Sequence, residues 1–130
     1  MATRRQLLVM TATAVMTGSL RAYAGESVPF TQAAFEEAQK SGRPILVEVS
    51  APWCPICKAQ KPILAKLAAD PRFKDLQIFD VDFDTRKDVL RQLNARMQST
   101  LIAFKGDKEV GRSVGETQPE WIEGLVEKTL

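Results

Sequence analysis

The apolar run Ile45 to Val49 ends five residues before Cys54-Pro55-Ile56-Cys57, which holds the only two cysteines of the chain, and this junction constrains the fold more than any other feature. A short continuous apolar run of this kind predicts a central strand covered on both faces. If the strand ends near Ala51 and a helix begins near Cys54, the first thiol sits at a helix N-terminus. There, unpaired backbone N–H groups and the positive end of the helix dipole stabilise a thiolate, which is the attacking species in disulfide exchange. Other chemistries also use two cysteines three apart. A structural zinc site needs four ligands, and this chain has no histidine and no third cysteine. A purely structural disulfide across so short a loop would constrain the unfolded chain weakly. The strand-to-helix context favours a redox-active dithiol, with a metal-handling or redox-sensing module on the same cysteines as the rival.

The first residues read as a leader rather than as part of the fold. Arg4 and Arg5 form a basic start, Leu7 to Leu20 is a mildly apolar stretch diluted by threonines, Gly18 and Ser19, and Ala22-Tyr23-Ala24 has the form of a cleavage site. The stretch is shorter than the roughly 20 residues that cross a bilayer, so stable membrane insertion is not expected. Paired arginines followed by leucines predict a twin-arginine signal over residues 1–24, and hence a bacterial protein exported to the periplasm. Residues 25–130 then form one domain with a single core. Arg4, Arg5 and Arg21 leave with the signal, so the 18 Lys and Arg become 15 against 16 Asp and Glu, a net charge of −1. With no basic cluster left, a nucleic-acid partner is not expected. An oxidising compartment would act on the one cysteine pair that remains.

Along the mature chain, Thr31 is a good N-cap and Phe30 can pack on Phe35 as a staple, predicting a helix to Lys40 that stops at Ser41-Gly42. Pro44 to Ser50 is the strand already described. From Pro55, Ile56, Ile63, Leu64 and Leu67 share one helical face and Lys58, Lys61 and Lys66 the other, with Pro62 expected to kink the helix. Leu76 to Asp82 predicts a strand, and Thr85 with Asp88 a capping box opening a helix to Leu93. Thr100 to Lys105 and Glu109 to Val114 predict a hairpin about Gly106-Asp107. Thr117 with Glu120 predicts a second capping box, ahead of a helix whose single apolar stripe is Trp121, Ile122, Leu125 and Val126. Strands alternating with helices predict an α/β sheet with parallel pairing, closed by an antiparallel hairpin.

Val47-Glu48, Ala51-Pro52-Trp53-Cys54, Cys57-Lys58, Pro62, Thr100 to Gly106 and Gly115, in this order and spacing, resemble the thioredoxin family over nearly the whole mature chain. The resemblance implies a thioredoxin fold, a central mixed five-stranded sheet flanked by four helices, with a first strand near Ser27 to Phe30. It also implies a protein-disulfide oxidoreductase that needs no cofactor and no metal. Such an enzyme exchanges its Cys54/Cys57 pair with partner-protein disulfides and dithiols and with an upstream redox partner, and a monomer is expected.

Cys54 is the expected nucleophile, and by resemblance the exposed thiol of the pair; Cys57 would resolve the mixed disulfide. Between them, Pro55 and Ile56 tune potential as well as rate. Thioredoxins usually carry Gly-Pro there and strongly oxidising relatives Pro-His, so an apolar Ile56 points to an intermediate potential and to reduction of exported partners, with oxidation of folding substrates as the alternative. Lys58 either adds positive field at the thiols or is a solvated lysine. A carboxylate inside a buried strand needs a partner or a proton, which makes Glu48 the expected proton acceptor for Cys57; the alternative is a long stem that reaches solvent. Trp53 and Pro52 shape the rim.

Asp80, Asp82 and Asp84 do not make a calcium loop, because Thr85 and Arg91 stand where glycine and a bidentate Glu are needed. They are expected at a solvated strand end and helix cap. The main departure from the family is Gln98-Ser99-Thr100, where Ser99 replaces a cis-proline. A cis bond before a non-proline costs about 2.5–4 kcal/mol, so a trans peptide is expected. Ser99 and Thr100 would border the substrate, with the Ser99 hydroxyl offered to the thiols, room left for a metal or iron-sulfur cluster that a proline would exclude, or the loop slightly rearranged.

Overall fold

The structure, a computed structural model, describes residues 26–130. The leader expected over residues 1–24 lies outside them. The elements in chain order are β1 (Ser27–Pro29), α1 (Gln32–Lys40), β2 (Pro44–Ser50), α2 (Pro55–Ala68), a 3-10 turn at Pro71–Phe73, β3 (Gln77–Asp82), α3 (Lys87–Gln92), β4 (Thr100–Lys105), β5 (Lys108–Val114) and α4 (Pro119–Glu127). They build one five-stranded sheet in the order β1-β3-β2-β4-β5. β3 pairs parallel with β1 and β2, while β2–β4 and β4–β5 are antiparallel. This is the thioredoxin fold that the resemblance implied, including its short first strand.

The apolar run of β2 is central because both of its faces are covered. Ile45, Val47 and Val49 pack with Phe35, Ala38, Val89 and Leu90 of α1 and α3. Leu46 packs on the other side with Leu64 and Leu67 of α2 and with Ile122, Leu125 and Val126 of α4. The staple forms as expected: Thr31 Oγ1 accepts the Ala34 N–H, and the Phe30 and Phe35 ring centroids are 5.0 Å apart. Phe35 also meets Phe79 and Phe104 edge-on, at 5.9 and 5.3 Å. Truncating this buried hub removes area and leaves a cavity. Phe35→Ala is therefore expected to destabilise the protein by about 3–5 kcal/mol, read as a lowered urea midpoint at unchanged slope.

Both predicted capping boxes are corrected. α3 starts after Arg86 with no side-chain cap, because Asp82 Oδ1 already accepts the N–H groups of Asp84 and Thr85, at 2.8 and 3.0 Å. α4 starts after Gln118, also with no side-chain cap; Glu116 Oε1 accepts the N–H groups of Thr117 and Gln118 at 3.1 and 2.9 Å. In each case a carboxylate just upstream reaches the donors first, a local bond that competes with the cap. Trp121 is not on the stripe of α4 but 68% exposed. Burying Ile122, Leu125 and Val126 turns the neighbouring position outward. α2 runs as one element through Pro62. On its inner face the expected Ile56 is 40% exposed, and Gln60 is buried instead.

Candidate active site

β2 ends at Ser50, and a tight turn, in which the Cys54 N–H donates to Ala51 O at 3.1 Å, delivers Cys54 to the N-cap of α2. Pro55 follows at the first helical position, where its missing N–H costs nothing and its fixed φ suits the helix. The Cys57 N–H then donates to Cys54 Sγ at 3.1 Å. Cys54 and Cys57 are joined as a disulfide with their Cα atoms 5.3 Å apart. A helix start normally capped by a hydroxyl or carboxylate is thus capped by sulfur, and on reduction the same N–H and dipole favour that sulfur as a thiolate.

The expectation that Cys54 is exposed is corrected for this disulfide form: Cys54 is 1% and Cys57 2% exposed. The sulfur turns inward to its partner, and Ala51 and Phe83 pack against the pair. Solvent meets the rim instead, where Trp53 is 55% exposed and Pro52, Pro55 and Lys58 are exposed as well. The Trp53 indole donates to Asp84 Oδ2 at 2.9 Å and stands edge-on to Phe83, which holds the ring beside the disulfide.

Glu48 is buried, which rules out the reading in which its stem reaches solvent. Its carboxylate accepts the Ser27 hydroxyl at 2.6 Å and lies 3.6 Å from Lys61 Nζ. Desolvation by burial holds its pKa above the ordinary carboxylate range, against the opposing effects of Ser27 and Lys61; the charge of Asp80, its register partner on β3, adds to the rise. Ser50 Oγ donates to Asp80 at 2.5 Å. A cavity of about 340 Å³, lined by Ser27, Glu48, Lys61 and Ile78 among others, opens beside the carboxylate. Glu48 precedes Val49, whose carbonyl oxygen is 3.9 Å from Cys57 Sγ.

The Ser99 loop faces the same point. No cis peptide occurs among the described residues, so the Gln98–Ser99 bond is trans as expected, and Ser99 takes the left-handed φ of 61°. Its N–H donates to Val49 O at 2.8 Å, the same carbonyl that lies by Cys57. The Ser99 hydroxyl is not offered to the thiols. It donates to Gln98 O at 2.5 Å, because the left-handed turn aims it back along its own chain. Thr100 Oγ1 closes the turn by donating to Met97 O at 2.7 Å. Asp80, Asp82 and Asp84 are each engaged by protein donors, and no group of three or more His, Cys, Asp or Glu among the described residues is placed to hold a metal.

The residue missed from sequence is Gln60. Its amide nitrogen donates to Ser99 O at 3.2 Å and to Glu116 O at 2.9 Å. The available signal was a polar residue one turn past Cys57, in register with Leu64 and Leu67 on the inner face.

The Thioredoxin family model matches residues 26–128. Among curated relatives, thioredoxin from Mycobacterium tuberculosis is 34% identical over 90 residues, which is 68% of this chain and 77% of the relative. Thioredoxin Asp f 29 from Aspergillus fumigatus is 32% identical over 84 residues, 65% of this chain and 76% of the relative. Among solved structures, Trxlp from Edwardsiella tarda EIB202 superposes with a TM-score of 0.74 at 47% identity, covering 75% of this chain and 95% of that one. Thioredoxin from Trypanosoma brucei brucei gives a TM-score of 0.70 at 19% identity, over 83% of this chain and 94% of that one, a likeness of fold alone.

Proposed function

The chain belongs to the thioredoxin family of dithiol-disulfide oxidoreductases, and from that premise we propose that it is an exported reductant of disulfides in particular partner proteins. The observation that carries the chemistry is the Cys57 N–H donating to Cys54 Sγ at the start of α2. In the reduced protein the Cys54 thiolate attacks one sulfur of a substrate disulfide; a mixed disulfide forms and the first substrate thiolate leaves. Cys57 gives its proton to the Glu48 carboxylate, directly or through one water, and attacks Cys54 Sγ. The 54–57 disulfide forms, the second substrate thiolate leaves, and the two electrons have passed to the substrate. An upstream dithiol partner returns them. Trp53, Pro55 and Ile56 border the incoming chain from the exposed rim; Ser99 and Thr100, expected there as well, are 3% and 1% exposed and lie beneath that surface, because their turn folds in against β2.

The paired arginines and the Ala22-Tyr23-Ala24 site support export to the periplasm. Reduction is favoured over oxidation because Ile56 offers no polar or cationic group that would stabilise the dithiol further and raise the potential. The direction is decided by equilibrating the protein with glutathione buffers and titrating free thiols. A midpoint nearer about −270 mV supports the reductant, and one near about −120 mV would make it an oxidant of folding substrates.

A further inference from the structure

Gln60 belongs to neither the disulfide nor the proton path, yet it is 2% exposed and both of its donated bonds go to main-chain carbonyls of two loops, one of which, at Ser99, shares the Val49 carbonyl with Cys57. One is Ser99 O, which also accepts the Gly115 N–H at 3.1 Å. The other is Glu116 O. A buried amide stays in a core only where its donors are matched, and an apolar residue of similar length would fill the same space. The bonds tie the helix that carries Cys57 to the turn at residues 97–100 and to the loop after β5. That turn holds a non-glycine residue at positive φ, a conformation that persists only when its surroundings over-determine it. With its N–H donated to Val49 O and its carbonyl engaged by Gln60 and Gly115, Ser99 is held from both sides.

We propose that Gln60 is the positioning residue that sets the wall opposite the disulfide, and through that wall selects protein substrates over small disulfides. The proposal rests on the disulfide-exchange reading above. A small disulfide needs only the sulfur and its helix N-terminus, whereas a protein segment also covers the chain around it, including the turn at residues 97–100, which shares the Val49 carbonyl with Cys57 and exposes Met97 by 50%. Loosening that turn therefore weakens docking without touching the sulfur chemistry.

The test is Gln60→Met in the full chain, assayed with dithiothreitol as electron source against insulin and against oxidised glutathione. The expected result is a KM for insulin raised about tenfold, the equivalent of one to two buried hydrogen bonds, with kcat, the glutathione rate and the midpoint potential each within about twofold of wild type. Amide exchange at Ser99 and Gly115 should accelerate, while that of the central strands does not. Ile122→Val, a core change in α4, controls for general loss of stability and should leave the insulin KM unchanged. If Gln60→Met does not fold, Gln60→Asn, one methylene too short to reach both carbonyls, takes its place. Equal losses on both substrates, an unchanged insulin KM, or the same KM rise in Ile122→Val would overturn the role of Gln60. A wild-type protein that reduces neither disulfide would overturn the exchange reading itself.

Discussion

Cys54→Ala is expected to abolish insulin reduction, while Cys57→Ala is expected to keep the first attack and stop at a covalent intermediate. The asymmetry follows from position: Cys54 Sγ receives the N–H at the start of α2, whereas Cys57 lies one turn further in, beside the Val49 carbonyl. Without Cys54 there is no sulfur at the helix terminus to ionise. Turnover should fall to the rate without enzyme, with the circular dichroism of the fold retained. Without Cys57 the mixed disulfide has no internal thiol to resolve it. In Cys57→Ala, partner proteins should stay attached on non-reducing gels and be released by dithiothreitol. Full insulin reduction by Cys54→Ala would refute the assignment.

Glu48→Gln is expected to slow resolution of the mixed disulfide about a hundredfold at neutral pH, within the range that one positioned general base contributes. The shape of the glutamine variant fits the same site between Ser27 and Lys61, but it cannot take a proton. The pH dependence has a definite sign. Burial raises the Glu48 pKa above 4.5, so the carboxylate becomes available as base only as pH rises through that higher value. In single-turnover measurements the wild-type rate should climb through this window and the Gln variant should stay flat. Lys61→Met removes a charge that favours the ionised carboxylate, and should move the wild-type profile to higher pH.

Stability carries the same linkage with a calculable direction. Between 4.5, the unfolded value, and the raised folded value, the native state binds more protons than the unfolded chain, so stability falls as pH rises. Below 4.5 both states are protonated and the penalty is absent. Glu48→Gln should flatten this slope and gain on the wild type as pH rises, read from urea midpoints across the window. A wild type and variant with parallel stability curves would show that the carboxylate is not desolvated.

The sequence alone determined the path of the chain and the location of the chemistry. A run apolar on both faces had to be a central strand, and two lone cysteines directly after it had to meet at the start of the next helix. The Phe30–Phe35 staple and the hairpin about Gly106 were legible for the same reason: each depends on residues a few positions apart. What depended on competition between possible partners was not legible. Neither α3 nor α4 has the side-chain cap its motif predicts, because Asp82 and Glu116 accept the N–H groups just upstream, by geometry and not by motif. Trp121 lay outside the stripe of α4 because the sheet decided how wide a face to cover.

The condition of Glu48 was half legible: a buried carboxylate announces a need for partners, but only the tertiary structure brought Ser27 from β1 and Lys61 from α2 to meet it. Ser99 shows the limit most clearly. Its identity predicted a trans peptide, while its left-handed turn, inward carbonyl and dependence on Gln60 arise from three segments converging at the Val49 carbonyl. Local pattern sets which bonds a residue is able to make, and only packing across the fold decides which of them form.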